Sequence, residues 1–234
     1  MKVWIWFIVA LSTAEFGAPP ALSSPVDADR PTSVPQQLVI ENDTELEGLL
    51  ARTAFARVSD HFQSMGFPIP SASYPRIAFQ DRIMIDGTTI DHACGVFDPS
   101  TDTIYMIHYD SLQFQTYSSL GIEACEELYF TILVHELAHY ANSQVSPGLI
   151  ITIDELIAAA VQLSLMDAEL RNRILGSTDV KRFQNVREIR IMEYRNDPDN
   201  FVLASYFLSI EKPEMFLRFL MQANPPLRDP FFIN

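Results

Sequence analysis

The spacing of hydrophobic positions changes along this chain, and the changes divide it into elements. Between Thr44 and Met65, the residues Leu46, Leu49, Leu50, Ala54, Phe55, Val58 and Phe62 recur at helical intervals, which predicts an amphipathic helix. Asp43 or Thr44 can cap it, Glu47 follows Thr44 by three as in a capping box, and Gly66 and Pro68 end it. Residues 74–108 read at a shorter period. Arg76–Phe79 and Ile83–Ile85 are strand-like runs followed by the turn signal Asp86-Gly87, and Gly95–Phe97 with Thr103–Ile107 flank a polar loop as a hairpin. Leu38–Ile40 is a further short strand candidate. Helical spacing returns over 121–142, where Glu123, Glu126 and Glu127 suit the positive end of the helix dipole. Leu128–Val134 is apolar nearly all round, so this helix is expected to be buried. Later helices are expected over Thr152–Met166, Asp179–Arg195, Asn200–Ser209 and Pro213–Met221, punctuated by Pro198, Pro213 and Pro225-Pro226. Strands followed by helices make an α+β protein, here a small, mostly antiparallel sheet followed by a helical bundle.

The first residues have a different character. Lys2, the apolar run Val3–Leu11 and the small residues Ser12-Thr13-Ala14 follow the pattern of an export signal. The run is too short to span a bilayer. Residues 1–21 are read as a signal peptide, with cleavage after Ala14 or near Ala18 or Ala21, and the Pro-rich stretch 22–37 as a flexible linker. The domain proper is residues 38–234, working in the periplasm or outside the cell. Export makes a disulfide between the two cysteines, Cys94 and Cys125, the expected state. The net charge of -14 disfavours nucleic acid and anionic membrane as partners.

The chemistry is concentrated in His135-Glu136-Leu137-Ala138-His139. Residues four apart on a helix share a face, so His135 and His139 can reach one metal ion, with Glu136 beside the water that the metal activates. A catalytic zinc needs a third protein ligand. The extended three-histidine pattern would need Gly at 142 and His at 145, where this chain has Asn142 and Val145. A carboxylate from the following helix remains. Glu155 is placed for it, sharing a face with Ala158, Ala159 and Gln162; Asp154 is the rival, though it points about 100° away and suits a capping role. Tyr206 and Tyr194 are candidates for a second group that polarises the substrate carbonyl. The strand Thr103–Ile107 is either an edge that pairs with extended peptide or an ordinary strand of the sheet. His61, His92 and His108 read as packing or solvated histidines.

The motif His135–His139 followed by Glu155 resembles the gluzincin group of zinc metallopeptidases. The block Asp154–Leu163 is similar to the corresponding segment of small exported bacterial members, and the likeness spans roughly residues 94–222. This resemblance implies a zincin-like fold, one Zn2+ held by His135, His139 and Glu155, Glu136 as catalytic base, and a peptide or protein substrate. The chain departs from the group at Ala159, where the best-known members often carry an Asp that orients a ligand histidine; Asp154 or Gln162 is the available substitute. Two other readings fit the same residues. One is a metal-binding or interaction protein with this fold and no catalysis; the other is a zinc amidase acting on cell-wall material.

Overall fold

The computed structural model describes residues 38–70, 74–183 and 188–221. The expected signal peptide and linker lie outside the described residues. Strand β1 (Val39–Glu41) leads into helix α1 (Glu45–Ser64) and strand β2 (Arg76–Gln80). A ribbon of β3 (Met84–Ile85) and β4 (Thr88–Thr89) follows, then β5 (Gly95–Asp98) and β6 (Thr103–Ile107). The turn α2 (Leu112–Gln115) and a second ribbon, β7 (Ser118–Ser119) with β8 (Ile122–Glu123), precede the long helices α3 (Glu126–Val145) and α4 (Ile151–Leu165). Helices α5 (Ala168–Ser177), α6 (Ile191–Asn196), α7 (Pro198–Glu211) and α8 (Pro213–Met221) complete the described chain. The α+β class expected from the sequence is the observed one.

The main sheet has the order β1-β2-β6-β5 and is mixed rather than mostly antiparallel. β1 pairs with β2 and β2 with β6 in parallel, and β5 with β6 is the antiparallel pair. The reason lies in the connections. α1 is a crossover that returns the chain in the same direction, as parallel pairing requires, and β6 is inserted between β2 and β5. Thr103–Ile107 is therefore a central strand, paired on both sides, and β5 is the edge beside α3.

Local chemistry explains α1. Thr44 and Glu47 form the expected capping box, and Leu50, Ala54, Phe55, Val58 and Phe62 are buried, whereas Leu49 turns outward at 44% exposure. Glu47 has a second task. Its carboxylate is fully buried (0% exposed) and accepts hydrogen bonds from the Tyr109 backbone N–H at 2.7 Å and from His108 Nδ1 at 3.1 Å. It thus ties the start of α1 to the chain leaving β6, and His108 is a clamp on this carboxylate rather than a solvated loop residue.

Helix α3 starts at Glu126, later than its apolar pattern predicts, because 118–123 fold as the β7–β8 ribbon instead. The ribbon turns at Leu120 and Gly121, both with positive φ. A helix at Ala168–Ser177 stands where none was expected, with Asp167 capping it, and the expected helix over Asp179–Arg195 is reduced to Ile191–Asn196 among the described residues. The expected disulfide is absent. Cys125 Sγ instead caps α3 by accepting the Leu128 N–H at 3.5 Å, and the Cys94 thiol is buried in the core, where burial chiefly and the nearby Glu136 push its pKa up to about 12. No helix among the described residues is long and apolar enough to cross a membrane.

Burial alone would raise the pKa of Glu47, but the N–H groups of Thr44 and Tyr109, helped by the Thr44 hydroxyl and His108, hold it below the usual value. A depressed folded-state pKa gives stability that is present above the unfolded pKa and lost as pH falls through the folded value. We expect Glu47→Ala to lower unfolding free energy by about 1–3 kcal/mol at pH 7. In urea titrations the gap between wild type and variant should narrow below about pH 4; a pH-independent gap would contradict the role of the carboxylate.

Candidate metal centre

Helices α3 and α4 lie antiparallel in tight contact, and small residues permit it. Ala138 and Ala141 on α3 and Ala158, Ala159 and Ala160 on α4 are all buried at the level of the site. The antiparallel register pairs late α3 with early α4. Asn142 Nδ2 donates to Asp154 Oδ1 at 2.7 Å, His139 Nδ1 lies 2.9 Å from Asp154 Oδ2, and His135 Nδ1 lies 3.1 Å from Gln162 Oε1. Each δ nitrogen is thereby engaged, so both histidines turn their ε nitrogens inward, toward Glu155.

The inward atoms form a small triangle. His135 Nε2 and His139 Nε2 are 3.1 Å apart, and they lie 3.4 Å and 3.5 Å from the two carboxylate oxygens of Glu155. A tetrahedral centre with bonds of about 2.0–2.1 Å separates its ligand atoms by about 3.3 Å. The three side chains therefore have the mutual spacing that one ion requires, and His135, His139 and Glu155 together can hold a metal ion. Glu155 is 1% exposed, and its Oε2 has no hydrogen-bond partner within the protein. A buried carboxylate oxygen without a hydrogen-bond donor is costly, and a cation among the three ligands removes that cost.

The electrostatics also call for positive charge. Burial alone would lower the pKa of His139, but the carboxylates of Asp154 and Glu155 outweigh it and raise the pKa to about 10. Glu136 is shifted upward, by burial first and by Glu155 in addition, against the pull of both imidazoles and the Phe97 N–H.

Glu136 faces the edge strand. The Phe97 backbone N–H of β5 donates to its carboxylate. Strand and helix meet closely at Gly95, where a Cβ would stand 2.8 Å from Glu136 Cγ and 2.8 Å from Met106 Sδ. Glycine is needed here for lack of room.

A cleft opens beside His135 and Glu136. Asp199 and Val202 of α7, Tyr117, Ser119 and Tyr194 also line it. The Tyr194 hydroxyl is hydrogen-bonded to Glu155 and its pKa is raised far above the ordinary value, chiefly by burial. Tyr206, the other tyrosine candidate, is not in the cleft. Only the first turns of α7 reach the site, and Tyr206, farther along, packs against the Arg171 guanidinium at 5.6 Å.

Asp154, the rival ligand, orients His139 from behind and caps no helix; Gln162 does the same for His135. These two occupy the role left open by Ala159. Tyr117, Ser119 and Asp199 were not legible as site residues. The turn Leu120-Gly121 was the available signal, but Leu is an unusual residue at positive φ, so the pattern did not read as a ribbon.

Residues 49–226 match the sequence family described as "Family of unknown function (DUF6639)", well over half of the chain. No curated protein and no solved structure matches it.

Three variants separate ligand from support. Glu155→Ala should retain no stoichiometric divalent metal after dialysis. Asp154→Asn and Gln162→Leu should retain it with affinity weakened about 10–100-fold, as for other groups that orient metal-binding histidines. Elemental analysis with chelator competition checks this; metal retained by Glu155→Ala and lost by Asp154→Asn would reverse the assignment.

Proposed function

We propose that the chain, which belongs to this family of unknown function (DUF6639), is an exported zinc-dependent peptidase. The observation that carries the reading is the buried triangle of His135, His139 and Glu155 with Glu136 next to it and a cleft alongside. Two imidazoles and one carboxylate are a donor set that suits zinc and leaves one position open. When bound, zinc would polarise a carbonyl and bring a water's pKa down to about 7.

The chain's own residues supply the rest of the reaction. Glu136 accepts a proton from the attacking water and delivers it to the leaving amine. Burial chiefly shifts its pKa upward from the ordinary carboxylate value, the direction that favours accepting a proton. The Phe97 N–H holds the carboxylate toward β5, and Gly95 lets the strand come close enough to do so. Tyr194 donates to Glu155 and steadies its orientation, and its hydroxyl, which lines the cleft, is a candidate to help the carbonyl oxygen once substrate enters. The substrate is a peptide or protein. The edge strand β5, antiparallel to β6 and packed beside α3, is in keeping with the same reading.

Glu136→Gln keeps the size and hydrogen bonding of the side chain but cannot take a proton. It should keep about one zinc per chain and lose at least about 100-fold in peptide hydrolysis. Undiminished hydrolysis in this variant would remove Glu136 from the mechanism. Zinc binding by the wild type without cleavage of any member of a broad peptide library would favour a metal-binding protein instead.

A further inference from the structure

The cleft has a charge pattern that the peptidase reading does not use. One wall is the α3 stripe Leu128, Ile132 and Glu136, four residues apart and hence on one face. Val202 and Asp199 of α7 line it as well. No Lys or Arg is among the residues that line the cleft. Asp199 is half-buried, and among the described residues it has no salt bridge; its Oδ1 accepts a hydrogen bond from Ser119 Oγ at 3.1 Å. Tyr117, Glu136 and Asp199 all line the cleft, so the two carboxylates border the same space.

We propose that Asp199 is a specificity-determining residue, binding an ammonium group of the substrate while the neighbouring apolar part lies against Leu128, Ile132 and Val202. This rests on the reading of the site as a zinc peptidase centre. The alternative of an anionic anchor is poorly served here. A substrate carboxylate or phosphate would meet Glu136 and Asp199 with no cationic side chain to receive it. The N-terminus of α7, the nearest other anion-attracting feature, is already served by its own acids, with Asp197 accepting the Asn200 N–H and Asp199 in the first turn. A peptide N-terminus and a lysine side chain both carry such an ammonium, and both offer three donors to a carboxylate.

The test measures binding rather than turnover, using the zinc-loaded full chain and metal-chelating hydroxamates in competition calorimetry. Four probes serve: leucine hydroxamate, N-acetyl-leucine hydroxamate, N-succinyl-leucine hydroxamate and Nα-acetyl-lysine hydroxamate. One of the two ammonium probes should bind at least about tenfold tighter than the neutral acetyl-leucine probe, and the succinyl probe should bind most weakly. A gain for leucine hydroxamate identifies an N-terminal amine, and a gain for the lysine probe identifies a side chain. Asp199→Asn, which retains an acceptor for Ser119, should abolish the preference at unchanged zinc content, and Asp199→Glu should restore part of it. Equal binding of neutral and ammonium probes, or a preference that survives Asp199→Asn, overturns the proposal and leaves the peptidase reading standing. If none of the four binds the zinc-loaded protein, the reading of the metal centre fails and this inference fails with it.

Discussion

Two imidazoles and a carboxylate buried in the seam between α3 and α4 must compensate one another, and the arrangement of the molecule follows from that constraint. His135 and His139 on one helix face Glu155 on the next, all nearly excluded from solvent. Charged groups taken out of water destabilise a protein by several kcal/mol each unless they are paired. Pairing them here requires the antiparallel register in which Asn142 meets Asp154, His139 meets Asp154 and Glu155, and His135 meets Glu155 and Gln162. The alanines at the seam let the helices approach closely enough for it.

The remaining elements fix what surrounds this seam. α1 packs on α3 and is tied through Glu47 to the end of β6, while Tyr129 of α3 donates to the Ile107 carbonyl of the same strand at 2.6 Å. β5 then lies along α3, close enough at Gly95 for the Phe97 N–H to reach Glu136. On the opposite side α7 presents its first turns, with Ser119 of the β7–β8 ribbon bonded to Asp199 across the cleft. The centre proposed to carry the chemistry is thus set on two rigid helices, and the cleft beside it is closed by short elements.

Helix α1, the two long helices and the candidate metal ligands on them were legible because each rests on local rules, whereas the helix Ala168–Ser177 was not expected. The Thr44–Glu47 capping box, the spacing of His135 and His139, and the reach of Glu155 depend only on helical geometry and a short connection. The orienting role of Asp154 and Gln162 was legible as a pair of alternatives, and the structure uses both. What escaped depends on long-range pairing. The strand order that buries Thr103–Ile107 in mid-sheet is set by which strands meet in space, and alternation along one strand carries no record of it. The disulfide expectation rested on compartment and an even cysteine count, whereas Cys125 serves its own helix as a cap. Tyr206 was the less useful of two tyrosines because its place depends on how far α7 penetrates the site. Ser119, with Tyr117 just before it, belongs to a ribbon whose turn is formed by Leu120, a residue that rarely adopts positive φ.

The central claim is that a single zinc ion is held by two histidines of α3 and a carboxylate of α4. X-ray absorption at the zinc edge of the metal-loaded protein reads the ligand shell without requiring activity. The expected spectrum has a first shell of only nitrogen and oxygen at about 2.0–2.1 Å, with the outer-shell scattering of two imidazoles. A sulfur scatterer at about 2.3 Å, which would bring in Cys94 or Cys125, or a shell without imidazole, would contradict it.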